Sequence, residues 1–154
     1  MSHFSLSISR RCKQLLLLCS VMTLGACASA PPVDGRLVPC PSAPHCVSSE
    51  AELSSSHYVA PLALHGRELA TTKQQLQSVI EQMGGEISHN SNTYLSATFS
   101  SAIFSFTDDL ECRIDVDAGV VQVRSASRLG YYDMGANRRR VETLRAGFEA
   151  ALNQ

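Results

Sequence analysis

The clearest helical pattern of apolar positions in this chain lies between residues 72 and 84. Four apolar residues recur there at i, i+3, i+4 and i+7, namely Leu76, Val79, Ile80 and Met83. Thr72 and Gln75 match a capping box, in which two side chains satisfy free N–H groups at a helix start. Gly84 follows, and glycine favours the left-handed conformation that ends many helices. The spacing therefore predicts an amphipathic helix that begins at Thr72 and stops at Gly84.

Beyond this helix the apolar period changes to two, which is typical of half-buried strands. A first strand is predicted from three alternating residues, Leu95, Ala97 and Phe99. The sheet is expected to continue over Ile103 to Phe106. Two more alternating runs follow, and their apolar positions are Leu110, Cys112, Ile114, Val116, Val121 and Val123. These two runs predict a β-hairpin.

The predicted hairpin turn determines which residues face each other across the two strands. The prediction takes Ala118-Gly119 as a two-residue loop. Val116 then lies opposite Val121. Ile114 lies opposite Val123, so the apolar residues of both strands share one face of the sheet. A shift by one residue would destroy this match.

A second amphipathic helix is predicted to start after Asn137, whose side chain can cap a helix. Its apolar side consists of Val141, Leu144, Phe148 and Leu152. Residues 47–68 are expected to be mostly irregular, with a short strand near Tyr58. The order of elements predicts an α+β fold, an antiparallel sheet of about four strands with two amphipathic helices packed on one face.

The amino-terminal residues 1–26 have the pattern of a lipoprotein signal peptide. Basic residues come first, Arg10, Arg11 and Lys13, and an apolar run from Leu15 to Leu24 follows. Gly25-Ala26 supplies the small pair that a peptidase needs, so Cys27 is predicted to become the lipidated first residue. The alternative, a transmembrane helix, is disfavoured because the apolar run has ten residues, whereas a bilayer core needs about 20.

Two further segments follow Cys27. Residues 27–38, with Pro31-Pro32 and Gly35, have the composition of a lipidated tether of about 18 Å. Residues 39–154 are predicted to form a single α+β domain. Ala28 after Cys27 resembles the sorting context of outer-membrane lipoproteins in Gram-negative bacteria. We therefore expect a lipid-anchored domain at the outer membrane that faces the periplasm.

The charge balance bears on possible partners. Removing Arg10, Arg11 and Lys13 from the 13 basic residues leaves 10 against 14 acidic residues, a net charge of about −4. This balance disfavours a nucleic-acid partner. The membrane is expected as a partner through the lipid anchor, and an envelope protein is a further candidate.

A lipidated cysteine implies an oxidising envelope compartment, in which disulfides form and persist. Cys40 and Cys46 are expected to form a short disulfide staple worth about 2 kcal/mol. Cys112 is then left as a buried free thiol. Two alternatives remain open: a bond from Cys40 or Cys46 to Cys112, and a metal site at Cys40, His45 and Cys46, which lacks a spaced fourth ligand. No metal and no cofactor is predicted.

Arginine is concentrated near the carboxyl terminus, with six between Arg124 and Arg145. The hairpin register predicted above would place Arg113 opposite Arg124, where like charges repel. Arg138, Arg139 and Arg140 fall in the first turn of the second helix, where the helix dipole disfavours cations.

These guanidinium groups either pair internally or bind an external anion. The internal partners expected are Asp115, Asp117 and Asp133. Glu142 and Glu149 are expected to pair with Arg138 and Arg145 through i, i+4 spacing.

The same residues resemble the signature of a known family. The run Arg124-Ser125-Ala126-Ser127-Arg128-Leu129-Gly130, followed by Asp133, Gly135, Asn137, Arg138 and Arg140-Val141-Glu142, is similar to that of domain of unknown function 1499. Cys40-Pro41 and Pro44-His45-Cys46-Val47-Ser48-Ser49 resemble the family's amino-terminal hallmark, with His45 where asparagine is usual. The resemblance spans Val38 to Leu152. It implies no activity, but it implies that the polar residues of the signature act as one unit: Arg124, Ser125, Ser127, Arg128, Asp133, Asn137, Arg138 and Arg140.

Three functions are compatible with these patterns. The first is a non-catalytic envelope lipoprotein whose Arg/Ser/Asp/Asn unit holds the fold or binds an anion, such as a lipid head group or a glycan carboxylate or phosphate. The second is a hydrolase or transferase with Ser125 or Ser127 as nucleophile and Asp133 assisting. It lacks a Gly-x-Ser-x-Gly elbow and a histidine spaced toward a serine. The third is an assembly role, docking another envelope protein.

Overall fold

The computed structural model describes residues 36–100 and 106–151. The lipoprotein signal, Cys27, nearly all of the tether, Ile103 to Ser105 and Leu152 lie outside these ranges. The elements, in chain order, are β1 (Cys46–Ser48), β2 (Leu62–Ala63), α1 (Leu69–Gln82), β3 (Glu86–Asn90), β4 (Tyr94–Ser100), β5 (Thr107–Asp115), β6 (Val120–Ser127) and α2 (Ala136–Ala150).

The strands form one six-stranded sheet in the order β1-β6-β5-β4-β3, and β2 pairs with β6 beside β1. All these strand pairs are antiparallel. The α+β prediction is confirmed, but the sheet has more strands than the four expected. Strands β1 and β2 are too short to show a period, and β3 carries only one apolar residue, Ile87. The strand expected near Tyr58 is a single parallel bridge to Ser48.

The core lies between the sheet and the two helices. Its fully buried side chains from the sheet include Leu95, Leu110, Cys112, Val121 and Val123. The helices contribute Leu76, Ile80, Val141, Leu144 and Phe148. Helix α2 approaches α1 closely at Gly147, where a Cβ atom would lie 2.6 Å from Val79 Cγ1. The apolar faces predicted for both helices are thus confirmed within the described residues.

Helix α1 begins one turn earlier than predicted. Thr72 N donates to Glu68 O (2.9 Å), so Thr72 lies inside the helix, where its side chain is fully buried. The predicted capping box is therefore wrong, and Gln75 instead donates from Nε2 to Ala151 O at the end of α2 (3.2 Å). Gly84 has φ of +84° and ends the helix as expected.

The β5–β6 hairpin is real, but its register differs by two residues from the predicted one. Ile114 pairs with Val121, and Cys112 pairs with Val123. The loop has four residues, 116–119, because Asp115 Oδ1 accepts a hydrogen bond from Ala118 N (3.0 Å) and closes a longer turn. A shift of two keeps every side chain on its predicted face. Val116, however, is exposed in the loop.

The cysteine chemistry agrees with the favoured prediction. Cys40 and Cys46 form a disulfide, and Cys112 is a buried free thiol. Both alternatives, a bond to Cys112 and a metal site that uses Cys40 and Cys46, are wrong because the disulfide consumes these two thiols. Burial, with a smaller effect of nearby Glu111, raises the pKa of Cys112 to about 12. This thiol is therefore protonated and shielded at neutral pH.

Candidate functional site

The signature run at the end of β6 alternates between the two faces of the sheet, as residues of a strand must. Ser125 and Ser127 face helix α2 and bond to Asn137. Arg124 lies on the opposite face and pairs with Glu111 of β5. The contiguous motif therefore builds two separate polar clusters, one on each side of the sheet.

The cluster on the helix side is centred on the fully buried side chain of Asn137. Its Nδ2 group lies 2.8–3.0 Å from three acceptors, which are His45 O, Ser127 Oγ and Asp133 Oδ2. Its Oδ1 atom accepts hydrogen bonds from Ser125 Oγ (2.7 Å) and Arg140 Nη1 (2.6 Å). One amide thus joins the residue before β1, strand β6, the loop that follows it and helix α2.

The start of α2 is capped by Asp133 rather than by Asn137, so the predicted capping role of Asn137 is wrong. Asp133 Oδ1 accepts from Gly135 N and Oδ2 from Asn137 N, both at 2.8 Å. Gly135 precedes the helix with φ of +78°, which turns the chain into it. Burial alone would raise the pKa of Asp133, but the N–H donors of Asn137 and Gly135 together lower it below its ordinary value.

Arg140 lies in the first turns of α2, and a carboxylate of the sheet neutralises its positive charge. Its Nη2 atom lies 2.6 Å from Asp108 Oδ2, and Nη1 donates to Ser125 Oγ (3.0 Å). The guanidinium carbon also lies 4.7 Å from the centre of the Phe99 ring, a cation–π contact. These partners compensate the unfavourable position of a cation near the helix amino terminus.

The cluster on the opposite face contains the two remaining buried or half-buried ion pairs of the signature. Arg124 Nη1 lies 2.7 Å from Glu111 Oε1, and the Glu111 side chain is fully buried. Arg128 forms a two-pronged contact with Asp109, at 3.0 and 2.8 Å. Burial raises the pKa of Glu111 more strongly than Arg124 lowers it.

Of the three acidic partners predicted for the arginines, Asp115 is confirmed as a partner of Arg113, but the signature arginines pair with other carboxylates than the predicted ones. The observed partners are Glu111, Asp109 and Asp108 of β5. Asp133 caps α2, Asp115 pairs with Arg113 (3.2 Å), and Asp117 lies in the hairpin loop. The two-residue register shift explains the difference, because it places Arg124 opposite Glu111 and leaves Gln122 opposite Arg113. The expected repulsion of Arg113 and Arg124 across the hairpin does not arise.

Two further arginines of α2 bind backbone carbonyls. Arg138 donates to Ser56 O (2.7 Å) and Tyr58 O (2.9 Å). Arg145 donates to Ala60 O and Pro61 O, at 2.5 and 2.8 Å. These contacts attach the irregular segment before β2 to the helix.

The i, i+4 ion pairs predicted on this helix do not form within the described residues. Arg138 uses the carbonyl groups of the irregular segment rather than Glu142. Arg145 pairs with Glu142 at i, i+3 spacing (3.1 Å) rather than with Glu149.

The surroundings of the two candidate nucleophiles, Ser125 and Ser127, indicate a structural role. Ser125 is fully buried, and its hydroxyl group is engaged by Asn137 and Arg140. Within residues 36–100 and 106–151, the imidazole rings of His45, His57, His65 and His89 make no hydrogen bond to the hydroxyl group of either serine, and His45 bonds to Ser127 only through the backbone, where Ser127 N donates to His45 O (3.0 Å). His45 contributes only its carbonyl group, and His57 Nδ1 lies 2.8 Å from Cys46 O.

The loop between β6 and α2 carries a feature that the sequence analysis missed. Four large apolar side chains project into solvent within residues 129–134, which we call the apolar loop. They are Leu129, Tyr131, Tyr132 and Met134, with exposed fractions of 70%, 74%, 67% and 77%. The sequence did contain a signal for this feature, because four large apolar residues occur in a segment whose apolar positions have neither a helical nor a strand period. Asp133, between them, fixes the loop to the buried Asn137.

The comparison with known protein families agrees with the signature. The sequence model of the family described as Protein of unknown function (DUF1499) matches residues 36–148. This chain belongs to that family, as its two motifs indicate. No curated protein and no solved structure matches the chain. Within the described residues, no helix is long and apolar enough to cross a membrane.

We expect Asn137→Ala to lower the free energy of unfolding by about 3 kcal/mol, because it leaves buried polar groups without partners. Urea unfolding measures this loss. Asn90→Ala is the matched control, since Asn90 is exposed and its side chain donates to Gln77 Oε1 of α1, outside the Asn137 cluster. The control should change stability by less than about 0.5 kcal/mol. Equal effects of the two substitutions would contradict a central role for Asn137.

We expect Asp133→Asn to lower stability at pH 7 by about 1 kcal/mol, through loss of a charged cap. The folded-state pKa of Asp133 lies below the ordinary value of 3.8, so its contribution is present above that pH. It is lost as the pH falls through the lowered folded-state pKa. Urea unfolding across this range should show the difference between wild type and variant narrowing in acid. A difference that stays constant with pH would contradict the capping role.

Proposed function

We propose that this protein is a non-catalytic lipoprotein of the cell envelope, anchored through Cys27 to the outer membrane of a Gram-negative bacterium. The sequence pattern of residues 1–26 supports the anchor. The Cys40–Cys46 disulfide supports an oxidising compartment such as the periplasm. In this proposal the Arg/Ser/Asp/Asn unit holds the fold and carries no substrate.

The observation that carries the structural role is the internal pairing of the signature arginines. Arg124, Arg128 and Arg140 each bind a carboxylate of β5 at 2.6–3.0 Å. An external phosphate or carboxylate would have to displace these groups, and a displaced buried carboxylate would lose its compensation for desolvation. The same pairing weighs against the alternative in which the unit binds an anionic lipid head group or glycan.

The alternative of a hydrolase or transferase has less support. A nucleophile must reach its substrate and must have a base within hydrogen-bond distance. The buried hydroxyl group of Ser125 instead donates to the amide oxygen of Asn137, which is not a base. The third alternative, assembly with another envelope protein, draws support from the exposed apolar loop.

Cys27→Ser is expected to abolish lipidation and to release the protein from the membrane fraction. The measurements are incorporation of labelled palmitate in expressing cells and the mass of the mature amino-terminal peptide. Cys12→Ser is the matched control, because it makes the same substitution before the apolar part of the signal. The control should remain lipidated. A wild-type protein with an unmodified amino terminus would overturn the proposal.

A further inference from the structure

The apolar loop contains four of the eight large apolar side chains that the described residues expose to solvent. A single exposed leucine is ordinary on a protein surface, but four large apolar side chains in six consecutive residues form a patch. Each is at least two-thirds exposed, so these side chains project from the surface and do not line a groove. Such a projecting segment suits insertion into a soft, continuous apolar phase.

Both ends of the apolar loop are fixed to the rest of the domain before it meets any partner. Arg128 at its start is clamped by Asp109, and its backbone N donates to Thr107 O (2.9 Å). At its end, Asp133 binds the first turn of α2, and Arg139 Nη1 donates to Met134 O (2.8 Å). A segment whose ends are fixed in advance loses less conformational entropy on binding than a free segment of the same length. Two residues of the family signature, Arg128 and Asp133, thus attach the ends of the apolar loop to the domain.

The side chains of the apolar loop have the chemical character that suits the hydrocarbon and head-group regions of a bilayer surface. Leu129 and Met134 are suited to the hydrocarbon, and tyrosine rings are enriched where hydrocarbon meets the polar head groups. Arg139, which follows the loop and lies outside the signature unit, is exposed and binds the backbone carbonyl of Met134 rather than a carboxylate in the described residues, so its positive charge is not neutralised. An exposed arginine beside an apolar segment attracts lipid phosphates.

The anchor and the loop can reach the same membrane. Leu37 N bonds to Glu50 Oε2, and Glu50 pairs with Arg113, which lies opposite Gln122 of β6. Gln122 is five residues, about 17 Å, from Ser127 at the loop end of β6. The chain from Cys27 to Arg36 spans up to about 30 Å when extended. The tether therefore does not prevent the loop from touching the bilayer.

We propose that the apolar loop inserts into the surface of the phospholipid bilayer that holds the lipid anchor. This second contact holds the domain against the membrane in one orientation, with the β5–β6 turn pointing away. The inference rests on the proposed lipid anchor at Cys27, but it concerns different residues and is tested separately from it.

The test uses the lipidated protein reconstituted in vesicles of phosphatidylethanolamine with a minority of phosphatidylglycerol. An environment-sensitive fluorophore is attached at Leu129→Cys, and the matched control carries it at Val116→Cys. Val116 is an exposed apolar residue in the turn at the other end of β6. Labelling is selective because Cys40 and Cys46 are bonded, Cys112 is buried and Cys27 carries the lipid. Lipids with a quencher on the acyl chain report insertion.

The expected result is a blue shift and quenching at position 129, with neither at position 116. Adding Tyr131→Ser and Tyr132→Ser should reduce the quenching at position 129. If the protein is lipidated but position 129 is no more quenched than position 116, the loop inference is overturned and the anchor stands. If the mature amino terminus carries no lipid, both proposals are overturned. Exposure in pure vesicles with protection in isolated native membranes would assign the loop to a protein partner and overturn the lipid assignment.

Discussion

The side-chain amide of Asn137 is the interaction on which most of this structure depends. It is fully buried, and its partners belong to the residue before β1, to strand β6, to the loop after β6 and to its own helix. An amide suits this position because it offers two donors and an acceptor without a net charge. No apolar residue of similar size could satisfy the carboxylate of Asp133 and the hydroxyl groups of β6 at once. The amide therefore fixes how the last helix and the apolar loop join the sheet.

The arginines around this junction follow from the same constraint. Cations are unfavourable near the start of a helix, yet Arg138, Arg139 and Arg140 occupy that position in α2. Arg140 is compensated by Asp108, and Arg138 binds carbonyls of a segment that has no regular structure of its own. On the other face of the sheet, Arg124 and Arg128 bind Glu111 and Asp109. Strand β5 thus supplies carboxylates to both faces of the sheet, and the arginines that bind them come from β6, from the residue that follows β6 and from α2.

Much of the fold could be predicted because the period of the apolar residues identifies helices and strands even where the predicted strand register is slightly wrong. The predicted hairpin register differs by two residues from the observed one, yet the predicted apolar residues that lie in β5 and β6 stay on the predicted face, since the period of a strand is two. The prediction of ion-pair partners does not tolerate such an error, because a shift of two residues places Glu111 rather than Arg113 opposite Arg124. Strands β1 and β2 have three and two residues, too few to carry a period. The network around Asn137 joins residues up to 92 positions apart, and no local pattern encodes such contacts. The disulfide was predictable because the two cysteines lie close in sequence.

The most direct test of the central claim, that the signature is a fold-holding network, is a double-mutant cycle between Arg140 and Asp108. The free energy of unfolding is measured in urea for wild type, Arg140→Gln, Asp108→Asn and the double variant. The account predicts a coupling free energy of about 1 to 3 kcal/mol, because the pair is half-buried and shares the cluster of Asn137. Additive effects, together with an unfolding free energy of the wild type that rises with added phosphate, would contradict it. That result would mean that Arg140 is held for an external anion.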